Sequence, residues 1–326
     1  MQTQDVRLEA ALDELAAVIA RLTAAGDGTH ATGLRGLSVG RASAPHPRVH
    51  SVANPCICLV AQGKKRVMLG EEVLVYDRFH FLVGSVDLPI SGQVVDASPE
   101  KPLLGLKLEL DMREVTQLLL EVPDVVARET APSRGLFVSR VAPEIIEAFG
   151  RLVRLAETPG DIPALEAGMR REAIYRVLKS EQGVRLRALA GTAGHSPRIA
   201  KAIDWLRENF RRPLRVEALA ALANMSPSSF HEHFRATTAM SPLQFQKQLR
   251  LQEARQMLME GVLDAATVGH RVGYESPSQF SREYSRLFGA PPATDMKRLR
   301  GNSAPSPQVA HAASSSGRVA PAPQAI

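Results

Sequence analysis

Serine, histidine and arginine side chains recur in two short segments, at spacings that place hydrogen-bonding groups on one face of a helix. These residues are Ser228, His231, Glu232, Ser278, Ser281 and Arg282. Arginine can donate two hydrogen bonds to guanine in a major groove, and short polar side chains reach other base edges. The basic residues predicted to contact phosphates are Lys201, Arg235, Arg250 and Arg286. The sequence predicts no catalytic, cofactor-binding or metal-binding residue.

The excess positive charge of the chain lies in one segment. The 326 residues carry a formal net charge of +6, and residues 195–300 hold 16 Lys and Arg against 10 Asp and Glu. The remainder is therefore balanced. Localised basic charge is the electrostatic footprint of a phosphate-binding domain. A solvated surface with a slight basic bias would give the same count.

The two segments are copies of one unit. Residues 223–230 align with residues 273–280 at an offset of 50, which also relates Phe234 to Tyr284. Each copy predicts a helix, a tight turn and a second helix, which begins with Ser-Pro as N-cap and first helical residue. In the second copy, Asp264 caps the first helix, Gly273 ends it, and Gln279 completes a capping box with Ser276.

The second helix of each copy has an apolar face and a polar face. Phe230 and Phe234 lie four residues apart, as do Phe280 and Tyr284, so these aromatic rings are predicted to be core. The polar residues named above fall on the other face, which either enters a major groove or is simply solvated. Residues 242–260 predict a stiff helix that holds the two polar faces about 34 Å apart, one turn of DNA.

The N-terminal half predicts short strands followed by helices. Strands are predicted at residues 57–62, 65–69, 73–76, 79–83, 90–95 and 103–110, which favours an antiparallel barrel or sandwich. Helices are predicted at residues 112–121, 143–157, 165–179 and 198–210. Residues 26–47 are predicted to be a linker and loop. Residues 301–326 are poor in large apolar side chains and predict a disordered tail.

Composition and cysteine spacing exclude several classes of protein. No apolar run reaches about 18 residues, and the N-terminus is an amphipathic helix without a secretory signal, so we expect a cytoplasmic protein with no membrane partner. Cys56 and Cys58 lie too close along the chain for a comfortable disulfide. They are either small buried residues or a thiol sensor of electrophiles or oxidants.

The stretch from about residue 199 to residue 300 resembles the DNA-binding domain of the AraC/XylS family of bacterial transcription regulators. The motifs are LRVEALAALANMSPSSFHEHFRATTAMSP, LRLQEARQML and VGHRVGYESPSQFSREYSRLFGAPP. The resemblance places the base-reading positions on the six residues named first. Glu232 is acidic where relatives often have a basic or amide residue. Asp295 lies where relatives usually have an aromatic residue, so we expect the last helix to pack less firmly.

Residues 55–111 resemble the cupin-like regulatory domain of an AraC-type subgroup, on the motif CICLVAQGKKRVMLGEEVLVYDRFHFLVGSVDLPISGQVVDASPEKPLLGLKLELD. The predicted fold is α+β and multidomain. Its parts are an N-terminal helix and linker (1–30), a cupin-like antiparallel β-barrel (31–112), a helical dimerisation region (113–190) and an all-α double helix-turn-helix domain (195–300).

The resemblance implies a sequence-specific transcription factor, not an enzyme, without a cofactor. Its implied partners are double-stranded DNA and an unknown small-molecule effector, with RNA polymerase and a second copy of the chain as further candidates. Two other classes stay open at this point. One is a cupin-type metal enzyme with a DNA-binding appendage, and the other is a constitutive architectural DNA binder.

Overall fold

The computed structural model of the chain describes residues 2–122, 134–190, 195–261 and 263–301. An antiparallel β-domain with helices on one face comes first, and an all-helical domain follows. This arrangement confirms the predicted fold class. The predicted disordered tail, beyond residue 301, lies outside the described residues.

Two facing antiparallel sheets form the β-domain. In neither sheet does the spatial order of the strands follow the order in which they occur along the chain. The six-stranded sheet has the order β1-β2-β9-β4-β7-β10 and the four-stranded sheet the order β3-β8-β5-β6. The strands are β1 (Gly28–Ala31), β2 (Leu37–Ala42), β3 (Val49–Ala53), β4 (Cys56–Gln62), β5 (Lys64–Leu69), β6 (Glu72–Asp77), β7 (His80–Gly84), β8 (Leu88–Asp96), β9 (Leu103–Glu109) and β10 (Leu136–Arg140).

Alternation along the strands separates two cores. On β4, Ile57 and Leu59 face the helices, whereas Cys58 and Val60 face the space between the sheets. The helices that cover the six-stranded sheet are α1 (Gln2–Leu22), α2 (Met112–Glu121), α3 (Pro143–Arg154), α4 (Ile162–Lys179) and α5 (Gly183–Ala190). A sheet covered on one side by helices and on the other by a second sheet is buried on both faces, which explains its long apolar runs.

The prediction of a linker at residues 26–47 is wrong, because β1 and β2 lie there. Strand β1 pairs with β2 from Gly28 opposite Arg41 to Ala31 opposite Ser38. Strand β10 likewise joins β7 from within a region predicted to be helical. Strands β1 and β10 lie at the edges of the sheet and are four and five residues long, so an alternating pattern has few residues in which to appear.

The C-terminal domain consists of α6 (Ser196–Asn209), α7 (Val216–Leu222), α8 (Pro227–Thr238), α9 (Pro242–Glu260), α10 (Ala265–Arg271), α11 (Pro277–Phe288) and α12 (Pro292–Gly301). The predicted aromatic core is confirmed, since Phe230, Phe234, Phe280 and Tyr284 are each 1% exposed or less. Among the described residues, no helix has the length and apolar character needed to cross a membrane.

Candidate nucleic-acid interface

The first helix-turn-helix unit is α7, a turn and α8. Asn224 closes the turn in the left-handed region with a φ of 50°, and the Met225 amide donates to the Ala220 carbonyl at 2.9 Å. The Ser226 hydroxyl then accepts from the Ser229 amide at 3.3 Å and caps α8, as predicted. Pro227 occupies the first turn of α8, where its missing N–H removes no hydrogen bond.

The second unit, α10 and α11, repeats this geometry with one extra residue in its turn. Helix α10 lies 49 positions after α7, whereas α11 lies 50 after α8. Gly273 therefore corresponds to Asn224 and has a φ of 98°. The predicted alignment of residues 223–230 with residues 273–280 at one offset of 50 is therefore wrong at the start of the turn. The offset changes from 49 to 50 because Glu275 is inserted before the capping Ser276. A helix-turn-helix unit tolerates this insertion, since the turn lies at the surface.

The predicted capping box of the second unit does not form. The Ser276 hydroxyl accepts from the Gln279 amide at 3.4 Å, but the Gln279 side chain donates to Glu283 Oε1 at 3.2 Å. A capping box occurs instead at α9, between Ser241 and Gln244. The Gln279 side chain does not reach back to the Ser276 amide because it donates instead to Glu283, an ionised acceptor four residues along the same helix.

Most of the predicted base-reading residues are exposed. Ser228, His231 and Glu232 are exposed on α8, and Ser278 and Arg282 on α11. Ser281 is half-buried on α11. Within the described ranges, the Arg282 guanidinium makes no hydrogen bond or ion pair with another residue. All five of its donors therefore remain available to a ligand such as a guanine edge.

The predicted phosphate-contacting residues divide into two groups. Lys201, Arg235 and Arg286 are exposed. Arg250 is half-buried on α9, and its guanidinium donates to backbone carbonyls. The bonds are Nε to Phe210 O at 2.7 Å, Nη1 to Gly273 O at 2.7 Å, and Nη2 to Arg211 O and Arg212 O at 3.2 and 3.1 Å. Arg250 thus connects the loop before the first unit to the turn of the second.

Glu283 holds α11 against its neighbours by a hydrogen-bonded cluster. Lys247 Nζ donates to its carboxylate at 2.8 Å and Tyr274 Oη at 2.9 Å. Burial acts against ionisation of Glu283, but the hydrogen bonds from Lys247, Tyr274 and Gln279 outweigh it and lower its pKa. An ionised Glu283 fixes the rotation of α11, and so the direction in which its polar face points.

The last helix is anchored by a buried carboxylate instead of an aromatic side chain. Asp295 is 5% exposed, and Arg255 donates to both its oxygens at 2.8 and 3.1 Å. Tyr284 Oη donates to the same carboxylate at 2.8 Å. Burial and this hydrogen bond raise the pKa of Tyr284, which keeps its phenol protonated. Asp295 is thus buried and paired, and the expectation that the last helix packs less firmly than in relatives stays a prediction.

The four-stranded sheet packs against the first unit, a contact that no sequence motif indicated. Arg134 bridges the two domains: its Nε donates to Glu72 Oε1 at 2.7 Å, and its Nη1 donates to the Arg235 and Ala236 carbonyls at 2.8 and 2.6 Å. The Gly135 amide donates to the Thr237 carbonyl at 2.9 Å. The β-domain therefore binds the C-terminal end of α8 directly.

Two further contacts join the domains. Arg207 Nη1 donates to Asp87 Oδ2 at 2.6 Å, and the His50 ring lies edge-on to the Phe288 ring at 5.1 Å. Side chains from the space between the sheets and from α6 to α9 belong to one continuous apolar cluster. Residues far apart in the sequence make these contacts, so no local pattern could have predicted them.

The His50 contact gives the domain interface a predicted pH dependence. Burial, together with the charges of Arg255 and Arg48, lowers the pKa of His50 to about 4, against the partial opposing effect of Asp295. The unfolded chain binds this proton near pH 6.5, so the stabilising effect is complete above that pH and is lost as the pH falls towards 4. We expect wild type to lose about 2 kcal/mol of unfolding free energy through this group between pH 7 and pH 5.

The measurement is urea denaturation at pH 7 and pH 5. His50→Phe is expected to remove this part of the pH dependence while keeping the contact with Phe288. His46→Phe is the matched control, because among the described residues His46 hydrogen bonds only to the adjacent Pro47 carbonyl. An equal pH dependence in His50→Phe and wild type would contradict the assignment.

Comparison with known families agrees with this architecture. Residues 33–185 match the family described as AraC-type transcriptional regulator N-terminus. Residues 219–298, which contain both units, match the family described as helix-turn-helix domain. The chain is therefore similar to an AraC-type N-terminus followed by a helix-turn-helix domain. The first match covers the β-domain from β2 onward together with α2 to α4.

Individual relatives match over part of this chain. The RCS-specific HTH-type transcriptional activator RclR of Escherichia coli (strain K12) is 36% identical over 104 residues, 32% of this chain and 37% of that protein. The virulence regulon transcriptional activator VirF of Yersinia enterocolitica is 25% identical over 193 residues, 59% of this chain and 69% of that protein. Alignments with the first three such relatives span 31–37% of their length.

A crystal structure of ToxT from Vibrio cholerae O395, bound to (E)-4-(8-methylnaphthalen-1-yl)but-3-enoic acid, is also similar. It has a TM-score of 0.49 and 10% sequence identity, and the match covers 81% of this chain and 98% of that one.

Proposed function

We propose that this chain is a sequence-specific DNA-binding transcription regulator whose β-domain responds to a small molecule. The observation that carries the proposal is the duplicated helix-turn-helix unit, whose capped second helices both present a polar surface. Ser228, His231 and Glu232 would read one major-groove segment, and Ser278, Ser281 and Arg282 the next. Exposed basic residues beside them supply affinity that does not depend on sequence.

The contact between the domains supports control of DNA binding by the β-domain. Arg134 and Gly135 hold the C-terminal end of α8, the same helix whose N-terminal half carries Ser228 and His231. A ligand that favours a different arrangement of the four-stranded sheet would shift the position of α8 relative to α11. It can shift this equilibrium only by the difference in its affinity for the two arrangements.

Double-stranded DNA and a small-molecule effector are therefore the partners in this proposal. RNA polymerase and a second copy of the chain, the latter through helices α2 to α4, remain predictions from the resemblance. Within the described residues, no three His, Cys, Asp or Glu side chains are placed to hold a metal ion.

Selection of bound duplexes from a random DNA library, followed by affinity measurement, tests the proposal. Arg282→Ala is expected to weaken binding to the selected duplex by about 1–3 kcal/mol and to relax the preference at one base pair. The reason is that Arg282 has free donors on the exposed face of α11. Equal affinity of Arg282→Ala and wild type for every base at that position would refute the role of α11.

Arg113→Ala is the matched control for charge. Arg113 is exposed on α2, in the β-domain, so its removal changes the net charge equally without touching either unit. We expect its affinity for the selected duplex to match wild type. Selection that enriches no sequence would instead indicate an architectural DNA binder, with equal affinity for random and selected duplexes at fixed salt.

A further inference from the structure

The space between the two sheets contains a cluster of nucleophilic and basic side chains that DNA binding does not use. Cys56 and Cys58 point into it from β4, with their Sγ atoms 3.9 Å apart. Lys107, on β9, lies directly opposite Cys58 in the antiparallel register. Side chains opposite each other on one face of a sheet have Cβ atoms about 5 Å apart, so the ammonium group is close to the thiol.

The facing sheet contributes two more members to this cluster. Lys65 and Tyr76 are paired neighbours on β5 and β6. Lys65 shares its face with the buried Val67 and Leu69, which belong to the core between the sheets. Tyr76 is 3% exposed. Two thiols, two amines and a phenol thus face one interior, and on the same face of β9 the Glu109 carboxylate accepts a hydrogen bond from Lys107 Nζ at 3.0 Å.

This interior has room beside the cluster. Gly92 lies on β8 between the inward-facing Ile90 and Val94, and a Cβ atom built at Gly92 would meet nothing within 4 Å. Gly84 lies opposite Cys56 on β7, and a Cβ atom built there would be in ordinary van der Waals contact with the Cys56 Sγ atom, at 3.7 Å. Cys58 itself is half-buried.

We propose that Cys58 is the site of covalent modification by a small α,β-unsaturated carbonyl compound, with Cys56, Lys65, Tyr76 and Lys107 as positioning residues. The Cys58 thiolate adds to the β-carbon, a C–S bond forms, and the C=C π electrons move to the carbonyl as an enolate. A proton from a neighbouring lysine ammonium neutralises the enolate, which returns to the carbonyl form. The lysine regains its proton from water, and no oxidant is needed.

The electrostatics of the cluster favour a thiolate at Cys58. A hydrogen bond from the Cys56 thiol, aided by the charges of Lys65 and Lys107 and opposed by burial, lowers the pKa of Cys58 to about 7. The same hydrogen bond and burial raise the pKa of Cys56, which stays a thiol and a donor. Burial raises the pKa of Tyr76, so its phenol remains able to donate to an enolate oxygen.

Two other chemistries of a dithiol fit this cluster less well. A soft metal ion would be repelled by the two ammonium groups beside the sulfur atoms. A disulfide between residues two apart on a strand needs Cα atoms near the upper limit of about 6.8 Å, which strains the bond. An uncharged electrophile that becomes anionic in the transition state is stabilised by the same ammonium groups.

The test is alkylation of the full chain by methyl vinyl ketone, followed by intact mass and peptide mapping. We expect one adduct on native protein, at Cys58, with a rate that is half-maximal near pH 7. At pH 7 the thiolate fraction is about 16-fold that of a free thiol of pKa about 8.5, but a thiolate of lower pKa is about fivefold less nucleophilic, so the rate is expected to be about threefold higher. Cys56→Ala and Lys107→Met are both expected to move the half-maximal rate to higher pH.

Measurements on the wild-type protein alone distinguish the possible outcomes. Adducts mainly at Cys56 or at lysines, or a Cys58 rate with the pH profile of a free thiol, would overturn the proposal. Faster conversion by hydrogen peroxide to a product lighter by two hydrogens would identify an oxidant site and overturn it as well. Lys101→Met is the matched control, because Lys101 is exposed at the turn before β9, outside the cluster.

The consequence for DNA rests on the proposed function and is measured separately. The adduct would lie in the apolar cluster that continues to Phe230 and Phe234 of α8. We expect the affinity of alkylated protein for the selected duplex to differ from that of untreated protein by fivefold or more. The affinity of Cys58→Ser for the same duplex should not change on treatment with the reagent. Alkylation at Cys58 without enrichment of any DNA sequence would contradict the proposed function and leave the modification site standing.

Discussion

Asp295→Ala is expected to lower the free energy of unfolding of the C-terminal domain by about 3–5 kcal/mol. The substitution removes the carboxylate that pairs with Arg255 and accepts from Tyr284, and it leaves the Arg255 guanidinium, 16% exposed, without its counter-charge. An uncompensated buried charge costs more than the ion pair contributed. Urea denaturation followed by far-UV circular dichroism gives the measurement.

A double variant separates the buried charge from the lost contacts. Asp295→Ala combined with Arg255→Met removes both charges, so it should recover a large part of the loss, because an apolar pair of similar volume does not need solvation. Asp264→Ala is the control for an exposed carboxylate. It removes only the N-cap of α10 and should cost about 1 kcal/mol. A single variant within 0.5 kcal/mol of wild type would contradict the role assigned to Asp295.

Arg250→Ala is expected to destabilise the same domain by about 2–4 kcal/mol and to weaken binding to the selected duplex through the loss of structure. Its guanidinium donates to four carbonyls, and hydrogen bonds to charged groups contribute about 1.5–3 kcal/mol each before the rearranged loop regains water. Buried carbonyls left without a donor account for most of the cost. Lysine cannot replace this fork of donors, so Arg250→Lys should recover little.

Arg286→Ala distinguishes a phosphate contact from this structural role. Arg286 is exposed on α11, so its loss should leave the unfolding free energy within about 0.5 kcal/mol of wild type. Its effect should appear instead as a reduction by about 1 in the slope of log K against log salt. Arg250→Ala with unchanged stability and a reduced salt slope would restore the sequence-based assignment of Arg250 to phosphate.

Four kinds of contact hold the β-domain and the helical domain together. The hydrogen bonds from Arg134 to the end of α8, the Asp87–Arg207 pair, the His50–Phe288 contact and the continuous apolar cluster all join the β-domain to the helical domain. These contacts position the first unit, and through the apolar cluster the barrel interior packs directly against it. The pH dependence of His50 and the alkylation of Cys58 would act at two ends of this one interface.

The sequence alone determined the duplicated units, because their signals are local. Ser226 and Ser276 cap helices that begin with proline, and the four-residue spacing of the aromatic rings fixes which face of each helix is buried. The predicted strands from β4 to β9 were also found. Strands β4, β7 and β9 are buried on both faces and are therefore apolar along their length, whereas β6 alternates between half-buried and exposed residues. The edge strands β1 and β10 were not predicted, because each is only four or five residues long.

Only the tertiary structure decided which charged side chains are free. Arg250 and Arg282 are the same residue type in the same basic segment, yet one is bound to carbonyls from two distant loops and the other is exposed. The cluster around Cys58 likewise combines residues from β4, β5, β6 and β9, which only the pairing and facing of the strands bring together. A local pattern fixes the helix face on which a residue lies, whereas its partners depend on how distant elements pack.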